Sequence, residues 1–283
     1  MQMYWKDAKV QYTKRTGKKL NYRRPKDLNE KLMWLTRYWQ HPLKTECADK
    51  YRVRDYVKEC GLGHLLIPLI GVWDKADDIN FNQLPDCFVL KLNHGSNYNI
   101  IVTDKNKINE PRTIYQLDNW LQEDFHLKLH ELHYKDIPRK IICEKLISPN
   151  APMEYQCWCI NGDVESLLAC RKDFSGKYEA WSYSTDWEHL CDRIGESENS
   201  IAPKPKHLAQ ILEYAETLSK PFPFVRVDFY EVDDLVYFAE LTFTPCGNVL
   251  RNYKQEFIHR LGEKLVLPKK IIKPNQFACI NAY

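Results

Sequence analysis

The N-terminal part of the chain repeats apolar residues at helical spacing. Over residues 28–39 one stripe is formed by Leu28, Leu32, Leu35 and Trp39. Asp27 and Glu30 stand at the start of this stretch with the spacing of a capping box. A second stripe begins near Asp49 and stops at Gly61, a residue type that commonly ends helices. The pattern predicts that the first ~65 residues are helical.

From residue 87 onward, short apolar runs alternate with polar turns. The runs predict strands over 87–92, 99–103, 140–144, 155–160, 164–169, 224–232 and 235–241. The Asn161-Gly162 pair suits the type I′ turn of a β-hairpin. Helical spacing returns over residues 112–132, 206–219 and 255–265. Antiparallel hairpins with helices between them indicate an α+β fold, not a doubly wound parallel sheet.

The composition is that of a folded protein without an overall charge suited to nucleic acid. Of 283 residues, 44% are hydrophobic, and 41 Lys and Arg against 38 Asp and Glu leave a net charge of +3. The longest apolar run, near residues 65–73, is interrupted and falls far short of the ~20 residues of a membrane span. With no apolar leader at the N-terminus and no C-x-x-C among its 10 cysteines, we expect a cytoplasmic protein with reduced thiols.

Residues 6–26 form a basic stretch, with nine Lys and Arg against the single acid Asp7. One interpretation is a solvated helical face, and the other is a patch for an anionic polymer or a membrane surface. The solvated face is slightly favoured, because Trp5 and the interleaved tyrosines can pack.

Three histidines, His126, His130 and His133, have the spacing i, i+4, i+7, which would place them on one face of a helix. A zinc site could use such a face. Because no H-E-x-x-H sequence accompanies them, partly exposed surface histidines are the better interpretation.

Lys91 lies in the middle of an apolar strand, where a lysine is costly unless its ammonium meets an anion or water. The loop 93–98 that follows is rich in small polar groups, and its amides and hydroxyl could wrap a phosphate. The alternative is a lysine that snorkels at a sheet edge.

Two pairs of polar residues lie on neighbouring predicted strands. Arg226 and Asp228 share one strand face, and Glu240 and Thr242 share one face of the next strand. If the intervening turn closes a hairpin, the two carboxylates lie opposite each other, which suits Mg²⁺. A cross-strand salt bridge between Arg226 and Glu240 explains the pattern equally well.

Residues 144–147 lie where a predicted strand ends and exposes backbone groups. An adenine could hydrogen-bond to such a hinge. By itself, a simple exit from the strand is the better explanation.

Together these residues resemble the ATP-grasp superfamily, and within it the TupA-like family found with bacterial surface-polysaccharide genes. The segments that carry the resemblance are 28–32, 48–57, 67–73, 84–96, 133–135, 157–162, 222–228 and 240–245. The resemblance implies an ATP-grasp fold, in which two α+β subdomains with antiparallel sheets clasp ATP after a short helical N-terminal region. It divides the chain into a helical region 1–75, a small subdomain 76–147, a large subdomain 148–268 and a tail 269–283.

The resemblance also implies the nucleotide contacts. Lys91 and Lys50 would contact the phosphates, and Arg226 would steady the transferring phosphate. The flexible loop over the phosphates would comprise Asn93, His94, Gly95, Ser96 and Asn97. The adenine hinge would comprise Glu144, Lys145 and Ile147.

For the metal, the resemblance implies Mg²⁺ on Asp228 and Glu240. Thr242 stands where many ATP-grasp proteins have asparagine, and its neutral hydroxyl is a weaker third ligand. The sequence departs from the family pattern in two further places, with Cys246 for a glycine after the motif's proline and Gln156 near the place of a lysine. The usual N-terminal substrate domain of ATP-grasp enzymes is replaced by helices.

The function implied is an ATP-dependent carboxylate–amine ligase working through an acyl phosphate. The substrates would be a uronic-acid carboxylate of a surface polysaccharide or its precursor, and an amino acid or small amine. The basic stretch, Arg171 and Lys172 would contact the acidic saccharide, with peripheral contact to a membrane-linked saccharide possible and no nucleic-acid partner. The alternatives are a glycosyltransferase or other transferase, which no D-x-D motif supports, and a non-catalytic nucleotide-binding protein.

Overall fold

The computed structural model describes residues 2–172 and 177–272. Its α-helices are α1 Gln2–Thr16, α2 Leu28–Tyr38, α3 Pro42–Ala48, α4 Val53–Glu59, α5 Glu110–Gln122, α6 Leu208–Ser219 and α7 Gln255–Lys264. Its strands are β1 Leu69–Trp73, β2 Phe88–Leu92, β3 Asn99–Val102, β4 Ile141–Lys145, β5 Met153–Ile160, β6 Asp163–Lys172, β7 Tyr178–Tyr183, β8 Phe224–Val232 and β9 Leu235–Thr242. Within these residues, no helix combines the length and hydrophobicity needed to cross a bilayer.

The N-terminal region is helical, as predicted, with differences at the helix starts. Asp27 caps α2 by accepting a hydrogen bond from the Glu30 amide (2.9 Å). The Glu30 carboxylate accepts from the Lys26 amide (2.8 Å), one residue before the capping-box position. The helix expected from near Asp49 begins four residues later, because the Asp49 carboxylate accepts from the Tyr51 amide (2.8 Å) and holds a turn between α3 and α4.

The strands form two antiparallel sheets, which confirms the α+β prediction. The small sheet has the order β1-β4-β2-β3 and the large sheet the order β7-β6-β5-β8-β9. The predicted hairpin turn between β5 and β6 is present, with Asn161 and Gly162 at φ values of 54° and 98°. Asp233 and Asp234 make the β8–β9 turn in the same left-handed region, at 50° and 62°.

Each sheet has its own hydrophobic core. The small sheet packs against α5, with Leu90 and Leu117 at 0% exposure. The large sheet shares one core with α6, α7 and the N-terminal helices, which includes Leu28, Ile211 and Phe229. The helical region is therefore built into the large half of the molecule and is not a separate unit.

The proposed boundary at residue 75 separates strand β1 from the rest of the small sheet. β1 lies within the region 1–75, but it pairs with β4 and so belongs to the small sheet by hydrogen bonding. Within the proposed tail, Ile271 pairs with Trp39, and residues 273–283 lie outside the described residues.

The histidine prediction is wrong in its helix and wrong in exposure for His130 and His133, whereas His126 is partly exposed as predicted. α5 ends at Gln122, and two short 3₁₀ turns follow at Phe125–Leu127 and Leu132–Tyr134. His130 adopts a φ of 60°, which a right-handed helix cannot contain. His130 and His133 are buried, and His130 Nε2 lies 3.0 Å from an Asp7 carboxylate oxygen. Tertiary packing of this irregular segment against α1 thus overrides the helical spacing.

A close helix crossing joins the start of α2 to the end of α7 at Gly262. A Cβ atom at Gly262 would lie 2.6 Å from the backbone nitrogen of Leu28, so no side chain fits there.

We expect Gly262→Ala to lower the free energy of unfolding by about 1–3 kcal/mol, because the clash with backbone outweighs the better helix propensity of alanine. Urea denaturation would measure the change. Glu263→Ala, an exposed substitution in the same helix, is the control and should leave stability nearly unchanged; equal stability of wild type and Gly262→Ala would show that the crossing can open without cost.

Candidate active site

A cleft of about 190 Å³ opens between the two sheets. Its walls come from the small sheet, the large sheet and the N-terminal region, which meets the large sheet where Leu66 pairs with Phe238. The polar and charged residues that line it are Lys50, Arg54, Lys91, Ser96, Asn97, Asn99, Glu144, Glu154, Tyr230 and Glu240. The fold thus brings together residues almost 200 positions apart, several of them predicted from the sequence.

On the small-sheet side, Lys91 is held by a carboxylate. Its Nζ lies 2.7 Å from Oε2 of Glu144, and Nη1 of Arg54 lies 3.0 Å from Oε1 of the same group. Glu144 is diagonal to Lys91 across β2 and β4, since Lys91 pairs with Ile142. The burial of Lys91 is thus accounted for by an ion pair, not by snorkelling at a sheet edge.

On the large-sheet side, Asp228 and Glu240 are directly opposite each other on β8 and β9. Arg226 donates to both oxygens of Asp228, at 2.8 and 2.5 Å, and lies 3.5 Å from Glu240. The Thr242 hydroxyl donates to Glu240 (2.8 Å). The expected facing of the two carboxylates and the cross-strand contact between Arg226 and Glu240 are therefore both present, and the Mg²⁺ site stays a prediction.

Lys50 reaches this cluster from the N-terminal region. Its Nζ lies 3.1 Å from Oε2 of Glu240. The turn that carries Lys50 is fixed by Asn93, whose Nδ2 donates to the Asp49 carboxylate (2.8 Å) and whose carbonyl accepts from the Lys50 amide (3.2 Å). Asn93 Oδ1 also accepts from the Lys140 amide (2.7 Å). Asn93 is fully buried and acts here as an anchor between chain segments.

The five predicted loop residues are divided between the cleft and the interior. Ser96 and Asn97 are exposed and line the cleft. Asn93, His94 and Gly95 are buried, and a Cβ atom at Gly95 would lie 2.9 Å from the Tyr98 and Phe125 rings. Packing at Gly95 thus turns the first half of the loop inward and leaves the second half open.

The predicted hinge and saccharide residues are placed differently. The Glu144 side chain points to Lys91 and Arg54, and the Lys145 amide donates to the Pro68 carbonyl (3.0 Å). Neither Lys145 nor Ile147 is among the residues lining the described cleft. Arg171 and Lys172 are exposed neighbours on β6 and lie on opposite faces of the sheet, so they cannot grip one group together.

Glu154 and Arg54 are site residues that the sequence reasoning missed. Glu154 accepts a hydrogen bond from Gln156 Nε2 (2.7 Å), and Gln156 is opposite Asp228 across β5 and β8. Its position two residues before Gln156 on the same strand face was the signal available. Arg54 gave no such signal, because only the tertiary fold brings α4 against β4.

The pKa values of the three carboxylates Glu240, Asp228 and Glu154 are shifted in different directions. Burial opposes ionisation of Glu240, but the charges of Lys50 and Arg226 outweigh it and lower the pKa to about 2. Burial raises the pKa of Asp228 to about 8, with Arg226 acting against the rise. Burial likewise raises the pKa of Glu154, again opposed by Arg226. A further cation in this cluster would therefore be strongly favoured.

The donor set fits Mg²⁺. Asp228, Glu240 and Thr242 offer hard oxygen atoms on two adjacent strands, and Mg²⁺ in proteins takes one or two carboxylates and leaves the remaining positions to water and phosphate. The nearby cations are lysine and arginine groups, which suit phosphate oxygens.

Comparison with known proteins gives one extended match and several distant ones. The model of the TupA-like ATPgrasp family matches residues 30–266, and no curated protein matches significantly. Solved structures with a similar fold include D-alanine–D-alanine ligases from Bacillus anthracis (18% identity, TM-score 0.46, covering 77% of this chain and 63% of that one) and Helicobacter pylori (14%, 0.45, 79% and 60%). The ATP-grasp ligase PsnB with a precursor variant, Mg and ADP is another (12%, 0.43, 79% and 59%).

This chain spans about three fifths of each of those three structures. The family match is of a different kind, since it runs through both sheets and every charged residue of the cleft. The expected ATP-grasp fold is thereby confirmed. The chain belongs to the TupA-like ATP-grasp family.

Proposed function

We propose that this ligase joins the carboxylate of a uronic acid, in a bacterial surface polysaccharide or its precursor, to an amino acid or small amine. The observation that carries the proposal is the pair of opposed carboxylates, Asp228 and Glu240, which Arg226 bridges; Glu240 lines one cleft together with its partner Lys50 and with Lys91. Such an arrangement serves phosphoryl transfer, in which charge on the transferring group must be offset. The polysaccharide setting rests on the family resemblance.

The proposed reaction has two steps. A carboxylate oxygen attacks the γ-phosphorus of ATP, and ADP leaves, which gives an acyl phosphate. The amine then attacks the acyl carbon, and phosphate leaves with one of the original carboxylate oxygens.

Residues of the cleft have distinct proposed roles. Lys91 and Lys50 exchange their partners Glu144 and Glu240 for phosphate oxygens, and Arg226 steadies the transferring phosphate. Asp228 and Glu240, with the Thr242 hydroxyl, would hold Mg²⁺, which when bound offsets charge on the phosphates. Ser96 and Asn97 close over the phosphates, with Asn93, His94 and Gly95 holding the base of that loop. The backbone at Glu144, Lys145 and Ile147 receives the adenine.

We place the reaction in the cytoplasm, beside ATP and sugar precursors. This is supported by the free state of all nine cysteines in the described residues, which suits a reducing compartment. The substrates are a saccharide carboxylate and a small amine, with Lys172 and the basic stretch 6–26 in contact with the acidic saccharide and Arg171 at its margin.

Removing the Lys91 ammonium tests the nucleotide site. We expect Lys91→Ala to weaken ATP binding tenfold or more, on the order expected for lost charged hydrogen bonds, while the fold survives because Arg54 still pairs with Glu144. Calorimetric titration with ATP and Mg²⁺ gives the affinity. Lys107→Ala, which removes an exposed lysine far from the cleft, is the control. An unchanged affinity in Lys91→Ala would remove Lys91 from the site.

The two opposed carboxylates are tested in the same way. We expect Asp228→Asn and Glu240→Gln each to abolish turnover and to make ATP binding independent of Mg²⁺, because each loses an anionic ligand. Asp234→Asn, in the exposed turn of the same hairpin, should retain turnover. A thermal melt of each variant separates loss of chemistry from loss of fold. Near-normal turnover of either variant would make the carboxylate pair a structural bridge.

A mechanism through an acyl phosphate predicts which products form. Uronic acids are mixed with amines, ATP and Mg²⁺, and products are identified by mass. We expect ADP, phosphate and an amide, with ¹⁸O from the sugar carboxylate appearing in the phosphate. Label retained wholly in the sugar, or AMP as the product, contradicts the mechanism. Nucleoside diphosphate released from a sugar donor would instead indicate a transferase.

A further inference from the structure

Arg193 is a cation near the cleft that the proposed chemistry does not use. Its guanidinium carbon lies over the rings of Tyr178 and Tyr253, 5.2 and 5.9 Å from their centroids. Its Nε is buried and has no hydrogen-bond partner among the described residues, none of which offers it a carboxylate within ion-pair distance. A buried donor without a partner is costly, so the arrangement calls for a ligand.

Strand register places this cation on the catalytic face of the large sheet. Tyr178 on β7 is opposite Lys172 on β6, and Cys170, two residues earlier on β6, is opposite Glu154 on β5. Opposite residues and alternate residues point to the same side of an antiparallel sheet. Tyr178 and Lys172 therefore share a face with Glu154 and Asp228. From the spacings of strands and residues, the Cα atoms of Tyr178 and Glu154 are roughly 12 Å apart.

The segment that carries Arg193 is firmly held. The Ile194 amide donates to the Asn252 carbonyl (2.9 Å), and the Lys254 amide donates to the Asp192 carbonyl (2.8 Å), which pairs Arg193 with Tyr253. Arg260 bonds the Asp192 carboxylate at 2.6 Å. The guanidinium is thus held ready before a ligand arrives, which lowers the entropic cost of binding.

Tyr253 connects this cation to the reaction centre and to a second cleft. Burial raises the pKa of its phenol, and the charges of Arg226 and Arg193 act against this rise. Tyr253 also lines a cleft between α1 and residues 249–255. Its cations Arg15, Lys18 and Arg251 make no ion pair with a described residue, and its one acid, Asp27, already caps α2.

We infer that Arg193, Lys172, Tyr178 and Tyr253 form a subsite for a second anionic group of the saccharide substrate, apart from the carboxylate that reacts. The guanidinium would bind the anion, and the Tyr178 ring, 49% exposed, would pack against the apolar face of a sugar. The anion is the carboxylate of a neighbouring acidic sugar or a phosphate of a sugar nucleotide. The second cleft continues the positive surface toward the basic stretch. The inference rests on the proposed function for its substrate class.

Direct binding to the full-length protein tests the subsite without turnover. The anionic probes are galacturonic acid, its linear trimer and UDP-glucuronic acid, and maltotriose is the neutral probe. We expect the trimer or UDP-glucuronic acid to bind at least about tenfold more weakly to Arg193→Ala than to wild type, with ATP affinity unchanged. Arg193→Lys should lose part of this affinity. Arg112→Ala, which removes an exposed arginine on α5, should lose none.

The outcomes identify the source of the anion, and they test the subsite separately from the ligase reaction. If only the trimer depends on Arg193, the anion is a neighbouring sugar carboxylate; if only UDP-glucuronic acid does, it is a phosphate. Either result supports the subsite. Equal affinities for wild type and Arg193→Ala, or no binding of any anionic probe to wild type, would overturn it. Should Arg193→Ala unfold, Arg193→Gln keeps most of the side chain and is judged by the same criteria. Arg193-dependent binding without ADP formation in the presence of amines would refute the ligase proposal and leave the subsite standing.

Discussion

Charge buried between two sheets must be balanced by opposite charge, and this constraint organises the centre of the protein. Glu144 is balanced by Lys91 and Arg54, Glu240 by Lys50, and Asp228 by Arg226. Breaking the Arg226–Asp228 pair from one side would cost about 3–5 kcal/mol, because Asp228 is at 0% exposure and the remaining charge would stay uncompensated. These ion pairs therefore hold the cleft in shape.

The N-terminal region brings two cations to the site, which its sequence does not suggest. The apolar stripe of its helices completes the core of the large sheet, so they are fixed to the half of the molecule that carries Asp228 and Glu240. From there they extend Lys50 to β9 and Arg54 to β4, one to each sheet. The N-terminal helices thus connect the two sides of the cleft.

The two faces of the large sheet carry different kinds of residues. One face carries Cys157, Val227 and Phe229, all at 0% exposure, in the core shared with α6. The other face carries Glu154, Asp228 and Arg226, and continues across β6 and β7 to Tyr178. Because a strand alternates its side chains, one sequence can supply a core and a chemical surface at the same time. The same alternation separates Arg171 from Lys172.

Local pattern was enough for seven of the nine described strands, for the hairpins and for the facing of Asp228 and Glu240, because side-chain alternation and short turns are set by residues close in sequence. The sequence analysis missed β1 and β7, the first strand of the small sheet and the edge strand of the large sheet. The prediction that Lys91 needs an anion was also within reach, since the cost of burying an ammonium is independent of the fold. Several features could not be predicted from local sequence pattern. The anion that Lys91 meets, the use of Asn93 as an anchor and the position of Arg54 at the cleft depend on segments distant in sequence. The histidine segment failed for the same reason, since its helical spacing was outweighed by packing against α1. The sequence by itself determined most of the elements and which groups need a partner; only the tertiary structure decided which partner each one has, because those pairings depend on contacts between residues far apart in the chain.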